Sequence, residues 1–391
     1  MKPQDRIKIF QSKLMESNLA CALLVYSRDI LYYTGTAQPS YLAVWPENIR
    51  LFVRSGFDFA VQDVFIDREK IEEERRLESI FKKIPPPAEA GIRRIGVELD
   101  ILTVQQFEAL RKAFPGTDFA NISPIILDQR KKKDPEELER IRRACDAIHQ
   151  GHEAVLSNLR EGITELELAA AVENAHRLAG HEGIFFIRQP DFFMSRGPIT
   201  SGPNLFKISG VVYTITGVGL SSSVPAGPSQ RKIAKGDLVI VDIPTLVDGY
   251  HADQTRTYCL GQATEPARAM YGDLKAIADH LITQMRPGMK CSDIYRMAVE
   301  KATTLGREGQ FQSFGRGKVS RLIGHGIGLE LNEPPIPSEY DHSPVDENYV
   351  IALDMHMMDS DVGVVKLEDM ILIGKDGNEI LTKSPRELIE I

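Results

Sequence analysis

Apolar positions near the start of the chain recur at helical spacing. Ile7, Phe10 and Leu14 form the stripe of a short opening helix within MKPQDRIKIFQSKLMESN. ACALLVY (20–26) follows as a continuous apolar run that fits a buried strand, and DILYYTG after it ends in a turn glycine. RRIGVEL (93–99) is a further strand candidate. It leads to Thr103 and Gln106, a capping-box pair set before Phe107 and Leu110. Strands alternating with helices predict an α/β layout with a mixed sheet.

The pattern changes near residues 128–134. Arg130, Lys131, Lys132 and Lys133 form a basic run, read as a solvated linker in preference to an anion site. Asp134 then suits a helix N-cap, Pro135 the first helical position and Glu137 the third. Leu138, Ile141, Cys145, Ile148, Val155 and Leu156 mark the apolar face of that helix. The predicted division is therefore residues 1–130 and 131–391. Within the second part, Leu159-Arg160-Glu161-Gly162-Ile163 matches Met285-Arg286-Pro287-Gly288-Met289, and Ala171-Val172-Glu173 matches Ala298-Val299-Glu300. Each copy reads as a helix end, a glycine turn and a second helix, so the second domain is expected to have two pseudo-symmetric halves.

Each half ends in a hairpin that carries two acids. In the first, Asp242 and Asp253 are equidistant from a turn centred between residues 247 and 248, which predicts that they face each other across the strands. In the second, Asp354 and Glu368 are centred on Asp361 within a polar turn. Carboxylates this close repel unless they are protonated or bridged by cations. Gly324-His325-Gly326-Ile327-Gly328-Leu329 lies between the hairpins and offers one imidazole on a backbone able to approach closely. Three Asp, one Glu and one His form an oxygen-rich donor set suited to Mn, Fe, Co or Zn. Two such ions about 3.5–4 Å apart can share carboxylates and activate water for hydrolysis.

Composition narrows the class without supplying the chemistry. The 391 residues allow two or three domains, and 42% hydrophobic with 26% charged residues is an ordinary globular balance. A net charge of −8 argues against a general nucleic-acid-binding surface. No segment reaches the ~18 apolar residues of a membrane span, and the N-terminus has no apolar signal-peptide core. Cys21, Cys145, Cys259 and Cys291 are scattered and few, consistent with a reducing, cytoplasmic setting.

GYHADQTRTY and GHGIGLELNEPP resemble the hairpin and histidine motifs of the pita-bread metallopeptidases: prolidase, aminopeptidase P and methionine aminopeptidase. The resemblance covers nearly the whole chain. It implies a creatinase-type N-terminal α/β domain followed by a pita-bread catalytic domain, an overall α/β (α+β) fold. It further implies two divalent ions held by Asp242, Asp253, His325, Asp354 and Glu368, with Asp354 also helping to deprotonate water. A small peptide or related small-molecule substrate, an Xaa-Pro bond and a homodimer follow from the same resemblance.

Four positions depart from the family pattern. Asp354, in Asp354-Met355-His356, stands where the family has Glu, and Asn332 before Glu333 replaces a histidine. Asn332 is taken as a catalytic hydrogen-bond donor to a developing oxyanion, unable to transfer a proton. Lys366 replaces an arginine before the last Glu and is taken, with His251, as a substrate contact; His251 packing inside the fold stays open. The SGPN segment (201–204) leads into a longer loop spanning 205–230. Arg256 is expected to pair with a neighbouring acid. The leading expectation is a metal-dependent hydrolase of the Xaa-Pro peptidase type. The alternatives are a metal-independent creatinase-like C–N hydrolase and a non-catalytic pita-bread binding protein.

Overall fold

The structure is a computed structural model and describes residues 3–84, 93–189, 196–209 and 214–391. The chain forms two compact units, Met1–Arg130 and Lys131–Ile391.

The first unit is built on a six-stranded mixed sheet. Its strand order is Ile71–Glu73, Asn48–Val53, Ser40–Trp45, Cys21–Leu24, Arg93–Val97, Thr117–Asn121. The opening helix Pro3–Glu16 buries Ile7, Phe10 and Leu14. The apolar run at 20–26 gives a shorter strand, Cys21–Leu24, because a helix, Ser27–Thr34, begins three residues later and takes up most of DILYYTG. Thr103 and Gln106 close a reciprocal capping box on the helix Val104–Ala113. Arg130 corrects the solvated-linker expectation in this unit: it is buried, and its Nη1 donates to Asp29 Oδ1 at 2.7 Å.

The second unit opens with the helix Pro135–Asn158, capped by Asp134 and Glu137 with Pro135 in the first turn. Ile141, Cys145, Ile148 and Val155 are buried along it, but Leu156 is exposed, being rotated off the stripe that Val155 already occupies. Lys133 is also buried, ion-paired at 2.7 Å to Glu333 of the histidine motif. The basic run thus includes a structural cation on each side of the unit boundary.

The internal repeat has a structural counterpart. The helix Pro135–Asn158, a turn at Gly162 and the helix Glu165–Leu178 match the helix Glu265–Gln284, a turn at Gly288 and the helix Cys291–Thr304. Backbone bonding repeats as well. Gly162 N–H donates to Ile233 O and Ile233 N–H to Ile163 O; Gly288 N–H donates to Val345 O and Val345 N–H to Met289 O.

Both hairpins join one sheet. Its main path among the described residues runs His325–Gly326, Val350–Asp359, Gly363–Leu372, Thr255–Cys259, Leu238–Asp242, Ile199–Ser201. Consecutive strand residues point to opposite faces. Val239 and Val241 therefore pack with the first helix pair, and Leu238 and Ile240 with the second. The sheet is buried on both sides, and its central strands carry the acidic residues into that interior.

Candidate metal centre

Strand register delivers the acids. Asp354 pairs directly with Glu368, as the symmetry about Asp361 predicts. Asp242 instead pairs with Thr255, which corrects the first hairpin's register by two residues. The cause is a two-residue turn: Asp248 and Gly249 both take positive φ, 50° and 78°, between the paired residues Val247 and Tyr250. A shift of two preserves the face, since side-chain direction has period two. Thr255 pairs in turn with Glu368, so one rung runs Asp242, Thr255, Glu368, Asp354 across four strands. Asp253 lies two residues before Thr255, just beyond the paired segment.

His325 joins from the edge strand, opposite Ala352. Its Nδ1 faces the Gly326 carbonyl at 3.0 Å, which makes Nδ1 the protonated nitrogen. The Nε2 lone pair then faces Glu368 Oε1 at 3.7 Å and Asp253 Oδ2 at 4.0 Å. Glycine is needed around it: a Cβ at Gly324 would lie 2.2 Å from Ala352 O, and one at Gly326 2.4 Å from Pro334 O.

Ligand atoms of Asp253, His325 and Glu368 all lie within 4.8 Å of one another, and all three residues are buried. Glu368 Oε1 has no hydrogen-bond partner. An unpaired buried carboxylate oxygen facing an imidazole lone pair and a second carboxylate is costly unless a cation sits among them. The donor set O, O, N therefore fits one of the borderline divalent metals.

The remaining acids face a different cation. Lys366 Nζ lies 2.5 Å from Asp242 Oδ2, 3.1 Å from Asp354 Oδ1 and 3.8 Å from Glu368 Oε2, with its side chain 1% exposed. It also donates to Thr214 Oγ1 at 2.6 Å. Thr255 Oγ1 donates to Glu368 Oε2 at 2.9 Å. Thr214 and Thr255 were not foreseen; placing the first turn on Asp248-Gly249 would have put Thr255 opposite Asp242.

Burial sets the charge states. It pushes the Asp253 and Glu368 carboxyls well above the ordinary range, with neighbouring carboxylates adding to the effect. It raises Asp354 too, partly offset by Lys366. Burial lowers His325, which favours the neutral imidazole a metal requires. Burial alone would lower Lys366, but Asp242, Asp354 and Glu368 together hold its pKa above the usual lysine value.

The structure gives the surroundings of the three residues expected to contact substrate or reacting atoms. Lys366 points into the carboxylate cluster, where its charge is neutralised. His251 is fully buried; Phe186 N–H donates to its Nε2 at 3.0 Å and its Nδ1–H donates to Gly328 O at 3.0 Å, so both ring nitrogens hold the fold around the histidine motif. Asn332 is exposed and joins none of the contacts of the cluster. It lies on irregular backbone between buried Leu331 and Glu333. In the longer loop, residues 210–213 lie outside the described residues. The SGPN segment is pinned to Glu165, whose carboxylate accepts from Ser201, Asn204 and Ser229.

Comparison with known proteins fits this arrangement. The profile of metallopeptidase family M24 matches residues 139–375, more than half of the chain. The chain belongs to metallopeptidase family M24. The creatinase/prolidase N-terminal domain profile matches residues 6–132. An Xaa-Pro dipeptidase of Pyrococcus horikoshii is 27% identical over 382 residues, covering 96% of this chain and 97% of that protein. The solved prolidase from Pyrococcus horikoshii OT3 aligns with a TM-score of 0.80 at 25% identity, over 98% of this chain and 100% of that one. The Xaa-Pro dipeptidase from Bacillus anthracis aligns with a TM-score of 0.83 at 21% identity, over 100% of both chains, a likeness of fold. This M24 chain thus has the creatinase-type N-terminal domain and the pita-bread catalytic domain, and it is a peptidase. Among the described residues, no helix is long and apolar enough to cross a membrane.

Proposed function

We propose that the protein is a metal-dependent peptidase that hydrolyses the bond before proline in small Xaa-Pro peptides. The observation that carries the metal dependence is the convergence of Asp253 Oδ2, His325 Nε2 and the unpartnered Glu368 Oε1. A metal-free creatinase-like site has no use for an orphaned carboxylate at that point. The Xaa-Pro substrate class rests on the relatives that carry that name, similar along nearly the whole chain.

Each residue then has a task. Asp253, His325 and Glu368 would hold a divalent ion, and such an ion would supply Lewis acidity for the hydrolysis. Asp354, with its pKa raised by burial, accepts a proton from the attacking water. Thr255 orients Glu368 through its Oε2, leaving Oε1 for the ion. By number, the four acids and the imidazole have donors for two ions; by position, three of the five residues converge.

The test uses full-length protein stripped by a chelator and reloaded with Mn, Co, Fe or Zn, then assayed on Xaa-Pro dipeptides beside matched Xaa-Ala controls. Chelator-sensitive cleavage specific for Xaa-Pro is expected, and Asp253→Asn abolishes it. Activity that survives chelation overturns the metal dependence. Failure to cleave any Xaa-Pro peptide with any of the four metals overturns the substrate class.

A further inference from the structure

Resting on the metal-dependent reading above, we propose that the centre holds a single divalent ion, at Asp253, His325 and Glu368. The Lys366 ammonium occupies the second cation position, between Asp242 and Asp354.

The argument starts from strand parity. Lys366 is two residues before Glu368 on the same strand, so both side chains leave the same face of the sheet. Its four-carbon stem brings Nζ back to the rung that holds Asp242 and Asp354. There the ammonium has three N–H donors, and three oxygens meet it within 3.1 Å: Asp242 Oδ2, Thr214 Oγ1 and Asp354 Oδ1. The Asp242 and Thr214 contacts are hydrogen bonds, whereas Asp354 Oδ1 meets the ammonium as an ion pair and has no hydrogen-bond partner. A lysine is a compact point charge, whereas a planar guanidinium would not fit the volume of one ion among facing carboxylates.

Two departures in the sequence therefore turn out to be one feature. Asp354 is shorter than the expected Glu, and Lys366 replaces the expected Arg; the two are ion-paired in the structure. Glu368 divides its oxygens between the two cations. Oε1 faces His325 and has no other partner, while Oε2 accepts from Thr255 and lies 3.8 Å from Lys366 Nζ.

Formal charge agrees. Four carboxylates carry −4, and one dication with one ammonium leaves −1. A second dication on Asp242 and Asp354 would stand beside the ammonium and compete for the same oxygens, with like-charge repulsion in a buried site. The lysine would have to leave, and a side chain 1% exposed has no solvated position close by.

The experiment measures capacity rather than turnover. Chelator-stripped full-length protein is dialysed against Mn2+, and bound metal is counted per chain by elemental analysis. Electron paramagnetic resonance then reads whether neighbouring ions are coupled. One ion per chain with the spectrum of isolated Mn2+ is expected. Asp242→Asn keeps that capacity, and Asp253→Asn loses it. Lys366→Met raises the capacity to two. Two ions per wild-type chain, or an exchange-coupled pair, overturns the inference and leaves metal-dependent hydrolysis standing. So does an Asp242→Asn protein without its ion, or a folded Lys366→Met protein that still binds one. No bound ion in the wild type overturns the metal-dependent reading and this inference together.

Discussion

Arg256 Nη2 donates to Asp369 Oδ1 at 2.7 Å, and both side chains are almost fully buried. Asp369 follows Glu368 on one strand, so the two acids leave opposite faces of the sheet. Glu368 faces the metal centre; Asp369 faces an arginine that also binds the carbonyls of Glu368, Thr255, Ser384 and Pro385. Arg256 thereby fixes the backbone that aims Glu368. Burial alone would raise the Asp369 carboxyl, but Arg256 and Arg386 hold it below the usual aspartate range.

Asp369→Asn leaves the Arg256 guanidinium buried without its counter-charge. Breaking a buried pair by removing one partner costs about 3–5 kcal/mol. The variant is expected to lose roughly that much stability in urea unfolding, together with metal affinity at Glu368. Wild-type stability would remove Arg256 as the anchor of this strand.

His251→Leu separates packing from substrate contact. The imidazole satisfies Phe186 N–H and the Gly328 carbonyl, and leucine satisfies neither. A buried group left unpaired costs about 1–3 kcal/mol. The expected result is lower stability on unfolding with KM unchanged in the surviving folded protein. A raised KM at unchanged stability would make His251 a substrate contact after all.

How far these residues were legible in the sequence depends on what positions them. Asp354 and Glu368 were legible because a ten-residue hairpin strand has a single register set by its turn. Asp242 and Asp253 were displaced by two because Asp248-Gly249 makes the tightest hairpin turn, yet period two kept their face. Arg256 was legible as a partner for an acid, and parity would have named Asp369. Lys366 and His251 were visible as residues on the right strands, but the direction of a long or branched side chain depends on what it meets inside. Asn332 lies on irregular backbone, where no periodicity reports burial, and the basic run straddles the end of the helix Ser123–Lys131, so one pattern does not cover it.

Gly151→Ala tests the packing of the first helix pair. A Cβ at Gly151 would lie 2.0 Å from His176 Nε2, a contact no side chain makes without displacement. Alanine gains up to about 1 kcal/mol of helix propensity over glycine, and overpacking a filled core costs about 1–3 kcal/mol. The steric cost wins, so Gly151→Ala lowers the unfolding midpoint. Adding His176→Ala to it recovers part of the loss if the clash is the cause. Independent, additive effects in that double-mutant cycle would refute it.

His176 also gives the fold a pH dependence. Its Nε2 faces the Ile148 carbonyl at 3.3 Å, and its Nδ1 is buried with no partner. Protonation would place an N–H at Nδ1 with nothing to accept it, and burial lowers the pKa to about 4. In the unfolded chain a histidine titrates near 6.5. Between those values the unfolded state takes up a proton that the folded state refuses. The neutral ring's contribution is therefore fully present above pH 6.5, falls as pH drops toward 4 and levels off below it. The span amounts to roughly 3 kcal/mol, of which about 2 kcal/mol is lost by pH 5. Unfolding free energies at pH 7.5 and 5 should differ more in the wild type than in His176→Phe, by about that 2 kcal/mol. Equal differences in the two proteins would mean that the buried ring is not the group that titrates.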